Sequence, residues 1–194
     1  LIPFSKKLTM EKNFSPSEDT RSQIESAEVI AAIPDRSSVV VAGRGKDMKS
    51  RIALWDVSGK PRLVWIHSLP GLLVPWTMAA KPNGSAIAVG GALDSLYVFN
   101  FEGSLIRRFD QVLRPGATSL TFTGEDRLAA GSLWGEVVIF EFNGGILASW
   151  SAPTEPSPAN VTYDSKREQL YVQRGEDEIT VVELSEAALI GAGC

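Results

Sequence analysis

Cysteine, histidine and long apolar runs are all scarce in this chain, and each shortage removes a class of function. Cys194 is the one cysteine among 194 residues. No internal disulfide can form, and no structural zinc site can be built from several thiolates. A reducing compartment, cytoplasmic or nuclear, is therefore expected. His67 is the one histidine. A Ser-His-acid triad would have to use it, and no Gly-x-Ser-x-Gly elbow supplies the serine, so His67 reads as a surface or edge residue. The longest apolar runs, such as Gly71-Leu72-Leu73-Val74 and Ser38-Val39-Val40-Val41-Ala42, fall far short of the roughly 20 residues a membrane helix needs. Basic charge is also in deficit, with 19 Lys and Arg against 23 Asp and Glu and a net charge of -4. The pairs Lys6-Lys7 and Arg107-Arg108 are isolated, so neither nucleic acid nor a membrane span is expected.

Phosphate and metal chemistry find no better footing. Gly43-Arg44-Gly45-Lys46 lacks the upstream glycine and the following Ser or Thr of a phosphate-binding loop, and reads as a flexible hairpin tip. The carboxylates of Glu176-Asp177-Glu178 are consecutive in a strand-connecting turn and do not converge on one point. No catalytic residue, cofactor or metal is expected, and the chain reads as a non-enzyme.

What the chain does have is a repeat. Arg51-Ile52-Ala53-Leu54-Trp55-Asp56-Val57-Ser58-Gly59 returns in weakened form as Ser95-Leu96-Tyr97-Val98-Phe99-Asn100-Phe101-Glu102-Gly103. It returns again as Glu136-Val137-Val138-Ile139-Phe140-Glu141-Phe142-Asn143-Gly144 and as Glu178-Ile179-Thr180-Val181-Val182-Glu183-Leu184. The polar positions Asp56, Asn100, Glu141 and Glu183 lie 44, 41 and 42 residues apart. A period of that length, with several short strands per unit, is the mark of propeller blades, in which one small sheet cannot cover its own apolar face and stacks on its neighbours. Each unit runs strand, polar turn, strand, glycine, strand, turn, outer strand. Trp65, Phe109 and Trp150 each fall six residues after Gly59, Gly103 and Gly144, which suits large rings packing over the edge of the next sheet. Trp55, Phe99 and Phe140 are expected in the joints between sheets.

The fold class expected is all-β, a propeller of four-stranded antiparallel blades. About four blades are present, at roughly residues 28–70, 72–112, 116–152 and 158–194. Residues 1–10 read as the outer strand of a preceding or closing blade, because Leu1-Ile2-Pro3-Phe4 resembles the later outer strands. Residues 11–27 read as a polar linker or loop. The start at Leu1 instead of Met, with no leader sequence, leads us to expect a piece of a longer protein.

Trp55-Asp56, the turn Lys81-Pro82-Asn83-Gly84 and the stretch from Gly90 to Asp94 resemble the WD-repeat family of β-propellers over roughly residues 28–190. The later units replace Trp-Asp by Phe-Asn, Phe-Glu and Val-Glu, and there is no Gly-His dipeptide, so the family's buried His-Ser-Asp-Trp network is not assigned here. The resemblance implies a ring that usually has seven blades, or about 290 residues. An open arc would leave sheet faces uncovered, so either four blades close a ring or the others come from further sequence or another chain; the second is favoured because WD-like blade geometry suits wider rings and because the amino terminus resembles a severed strand. The resemblance further implies a protein-protein interaction scaffold within a larger multiprotein assembly, with other proteins as partners. Val57-Ser58-Gly59-Lys60 with Trp65 also resembles the propellers of quinone-dependent dehydrogenases. The alternative is therefore a propeller enzyme or ligand-binding domain with a small molecule in its central channel.

Candidate partner-binding residues are those of the second-to-third-strand turns, which share one end of the blades: Arg44, Lys46, Asp94, Leu133, Trp134 and Asp177. Trp134 is the most telling. A large ring at a turn tip is either a binding anchor or a cover for the neighbouring hairpin.

Overall fold

The computed structural model describes residues 24–34, 36–71, 74–92, 95–111, 113–114, 116–142, 145–150, 157–175 and 178–184. The expected outer strand at residues 1–10 and residues 11–23 of the expected linker lie outside this set, and the linker's last two residues, Ser26 and Ala27, instead begin the first strand.

Alternating β-branched and aromatic residues, broken by Gly, Asn and Asp turns, give fifteen strands among the described residues. They form three four-stranded sheets and one three-stranded sheet, each a meander in chain order. Sheet one is β1 (Ser26–Ile33), β2 (Ser38–Arg44), β3 (Ser50–Asp56) and β4 (Arg62–Ser68). Sheet two is β5 (Val74–Ala80), β6 (Ala86–Ala92), β7 (Ser95–Asn100) and β8 (Leu105–Asp110). Sheet three is β9 (Ala117–Phe122), β10 (Arg127–Ser132), β11 (Val137–Glu141) and β12 (Ile146–Trp150). Sheet four is β13 (Ala159–Asp164), β14 (Gln169–Arg174) and β15 (Glu178–Glu183). All pairings are antiparallel. The first strands of successive sheets lie against one another, β1 on β5, β5 on β9 and β9 on β13, so they form the inner side of the stack. Up-and-down connectivity puts the β2–β3, β6–β7, β10–β11 and β14–β15 turns at one end, here the upper end, and the β1–β2 class of turns at the lower end.

The third strands explain why the sheets stack. Side chains alternate between the two faces of a strand, and here both faces are apolar. Ile52 and Leu54 face sheet two, where they meet Tyr97 and Phe99. Leu96 and Val98 face sheet three and meet Val138 and Phe140. Val137 and Ile139 face sheet four, against Leu170, Val172 and Val182. Sheets one to three thus turn aliphatic residues toward the sheet that follows, and sheets two and three turn aromatic rings toward the sheet before. Phe140 is fully buried, its ring centroid 4.9 Å from that of Phe109. The outer-strand rings close the same joints as expected: the Trp65 indole N–H donates to the Phe101 carbonyl at 2.9 Å, and Trp150 packs on the third cluster.

Two sequence expectations are modified. Trp55 is buried but belongs to none of the three joints; its strand position turns it to the face of sheet one away from sheet two. His67 is not simply a surface residue. It stacks on Phe99, 5.6 Å between centroids with an interplanar angle of 10°, and lies 5.2 Å from Trp65, so its role in this fold is to fill the rim of the first joint.

The inner strands carry a second repeated device. A β-bulge places one unpaired residue near the upper end of β1, β5 and β9, and the extra residues are Glu28, Trp76 and Thr118. A bulge bends the strand and re-aims a side chain. It also brings the strand's own backbone against its neighbour: a methyl group at Gly43 would lie 2.0 Å from the Ser26 carbonyl oxygen, and one at Gly91 would lie 1.9 Å from that of Val74. Glycine at both places follows from that approach.

Candidate interaction surface

At the upper end, sheet three presents the turn Ser132-Leu133-Trp134-Gly135. Ser132 is buried, and its Oγ accepts the backbone N–H groups of Trp134 at 3.2 Å and Glu136 at 3.0 Å. Gly135 closes the turn at φ +79°, donating its N–H to the Ser132 carbonyl at 3.1 Å. Three contacts from outside the hairpin hold it. Leu133 donates its N–H to the Gly116 carbonyl at 2.7 Å, Arg114 donates its N–H to Glu136 Oε2 at 2.8 Å, and Arg174 of sheet four donates from Nε to the Gly135 carbonyl at 3.1 Å. A loop with that many fixed backbone groups presents its tip in one place. The tip is apolar: Leu133 is 40% exposed and Trp134 is 41% exposed.

Trp76 joins this surface, and sequence reading missed it. As the extra residue of the β5 bulge it is 44% exposed. Gly116 brings it to Leu133: a methyl group there would lie 3.0 Å from Trp76 Cζ3 and 3.1 Å from Leu133 Cβ. Two large side chains therefore flank one glycine. The only signal in the sequence was a Trp at a position where the first and third units have Glu28 and Thr118.

The remaining candidates fall at the same end but in other settings. Arg44 ends β2 and donates through Nε and Nη2 to Glu28 Oε1 at 3.2 and 2.9 Å. That hydrogen bond, with one from Ser26, holds the Glu28 carboxyl below its usual range. Lys46 is exposed in the β2–β3 turn. Asp94 and Asp177 lie outside the described residues, as do Leu93 and Glu176. Within the Lys46 turn, Arg51 grips Asp47 with Nη1 to Oδ1 at 2.8 Å and Nη2 to Oδ2 at 2.7 Å. The Arg51 hydrogen bonds lower the Asp47 pKa to about 2. Because that value lies below the ordinary carboxylate range near 4, the pair contributes fully above pH about 4. The contribution is lost as pH falls toward 2. Carboxyl NMR should show Asp47 titrating near pH 2, and Arg51→Gln should return it toward the ordinary range; an unchanged midpoint would remove Arg51 as the cause.

Among the described residues there is no group of three or more His, Cys, Asp or Glu able to hold a metal ion, and no helix is long and apolar enough to cross a membrane.

No protein-family model and no curated protein matches the chain. Solved structures do. A crystal structure of Sqt1 from Chaetomium thermophilum, a WD40 β-propeller protein, superposes with a TM-score of 0.71 at 15% identity, covering 84% of this chain and 45% of that one. The chain has a β-propeller fold. A second Sqt1 crystal structure from the same organism gives a TM-score of 0.67 at 17% identity, covering 81% of this chain and 45% of that one. The β-propeller sheets of this chain thus span less than half the length of these neighbours.

Proposed function

We propose that the chain is a non-enzymatic scaffold segment of a WD-like propeller that holds other proteins in an assembly, and that its upper end is the docking face. The observation that carries this reading is the rigidly tied turn whose tip exposes Leu133 and Trp134 beside Trp76. Aromatic side chains fixed at the centre of a docking patch supply most of the energy of many protein interfaces. A reducing compartment, cytoplasmic or nuclear, suits a chain with one cysteine.

The reading includes further propeller sheets, from other sequence or another chain. Ile179 and Val181 of β15 stand in the same register as Val137 and Ile139 of β11. The earlier pair is fully buried under sheet four, whereas Ile179 is 67% and Val181 49% exposed. A sheet that continues the stack would cover them.

The test compares wild type with Trp134→Ala, a substitution at a half-exposed turn tip, with the melting temperatures of both measured alongside. A partner that co-purifies with wild type should bind the variant with a loss of about 2 kcal/mol, roughly thirtyfold in affinity. If every partner is retained with equal affinity, the upper-end docking face is wrong.

A further inference from the structure

At the lower end, a groove of about 380 Å³ opens between sheets two and three. Its lining comes from Lys81, Ser85 and Ala86 at the β5–β6 turn, Ile106 of β8, Glu125 and Asp126 of the β9–β10 turn, and Phe142 after β11. Phe142 is braced edge-on against Phe122, with centroids 5.9 Å apart at 87°. The Lys81 ammonium is already committed, donating to the Glu125 carbonyl at 2.5 Å and to Glu125 Oε2 at 2.6 Å. The Glu125 side chain is nonetheless 82% exposed, and exposed Asp126 makes no ion pair among the described residues. Beside Asp126, Arg127 and Glu141 face each other at 3.8 Å, and Arg107, next to Ile106 in β8, lies with its guanidinium 5.7 Å from the Phe109 ring centroid. The lining residues thus combine an apolar wall with one carboxylate, that of Asp126, beyond the Lys81–Glu125 pair.

The joint before it contains the same ring position, already occupied. Phe101 corresponds to Phe142 in the repeat, and the Arg36 guanidinium from the turn of sheet one lies over the Phe101 ring, 3.8 Å from its centroid. The corresponding turn of sheet two has no arginine. Gly84 stands at the place of Arg36, its N–H closing the turn on the Lys81 carbonyl at 2.8 Å as that of Arg36 does on Ile33 at 3.3 Å, and the neighbouring Asn83 is folded back, Oδ1 accepting the Ser85 N–H at 3.0 Å and hydroxyl at 2.7 Å. From this comparison we propose that the groove receives an arginine side chain of a partner protein, with the guanidinium over Phe142 and paired with Glu125 and Asp126. A planar cation suits both halves of the site, since it stacks on a ring while its N–H groups reach carboxylates. This site lies at the opposite end from Trp134, so either can fail without the other.

The probe is a Gly-Ser peptide with one central arginine, titrated into the isotopically labelled protein beside peptides carrying citrulline or glutamate in its place. The arginine peptide should shift the backbone amides of Ser85, Asp126 and Phe142, and the other two should leave them in place. Glu125→Gln with Asp126→Asn, both at the surface, should weaken binding by at least about fivefold. Trp134→Ala should change nothing. Equal shifts with citrulline, shifts confined to other residues, or undiminished binding in the Glu125→Gln, Asp126→Asn variant would each overturn the proposal.

Discussion

Phe140→Ala is expected to cost about 3–5 kcal/mol of folding stability, which for a chain of this size lowers Tm by roughly 10 °C. Phe140 is fully buried in the joint between sheets two and three, its ring centroid 4.9 Å from that of Phe109. Truncation removes the ring's contacts on both sheets at once. The surroundings are β-strands tied to their neighbours by ladder hydrogen bonds, and they cannot collapse into the space. Leu105→Ala is the control. Leu105 is an exposed outer-strand residue, and its loss should stay within about 0.5 kcal/mol. Chemical denaturation of both variants decides the matter, and a Phe140→Ala loss below about 1 kcal/mol would mean that this joint is not what holds the sheets together.

Gly91→Ala should be of similar size for the opposite reason, an added atom. The new methyl group would lie 1.9 Å from the Val74 carbonyl oxygen and 2.9 Å from Pro75 Cα. These are backbone atoms, so no side-chain rotation relieves the clash, and the β5 bulge would have to straighten. A cost of about 3 kcal/mol or more is expected, at the upper end of what overpacking produces. The straightening would also move Trp76, which the bulge aims outward. A Trp76 emission change should therefore accompany the loss of stability. Gly59→Ala, where an added methyl group meets nothing within 4 Å, should show neither effect.

The contrast between these two positions shows what could be read from the sequence. Phe140 was legible because it repeats: the 44, 41 and 42 residue spacings fix the register of the third strand, and period-two alternation then says which residues share a face. The rings six residues past the turn glycines were legible for the same reason. Trp55 was assigned to a joint by equivalence with Phe99 and Phe140, and the equivalence holds for its face; no described sheet lies on that side. Trp76 was missed because a bulge inserts one residue and reverses the alternation, an event that leaves no mark beyond a glycine on the neighbouring strand. The groove at Phe142 was missed because its walls come from three turns that meet only once the sheets are stacked. The candidate turns share one end by topology, yet nothing in the spacing distinguishes Arg44, neutralised by Glu28, from the apolar tip at Leu133 and Trp134.

Each sheet pairs an aliphatic side with a differently built opposite side, and this asymmetry governs how units can be joined. Like sides do not match, so a symmetric back-to-back pair gains little, whereas addition in a single direction repeats the native contact each time. Head-to-tail contacts of that kind either return on themselves or run on without limit. Under the proposed reading, the side bearing Ile179 and Val181 is where a further sheet would join, and addition there without a cap would favour polymers over discrete pairs.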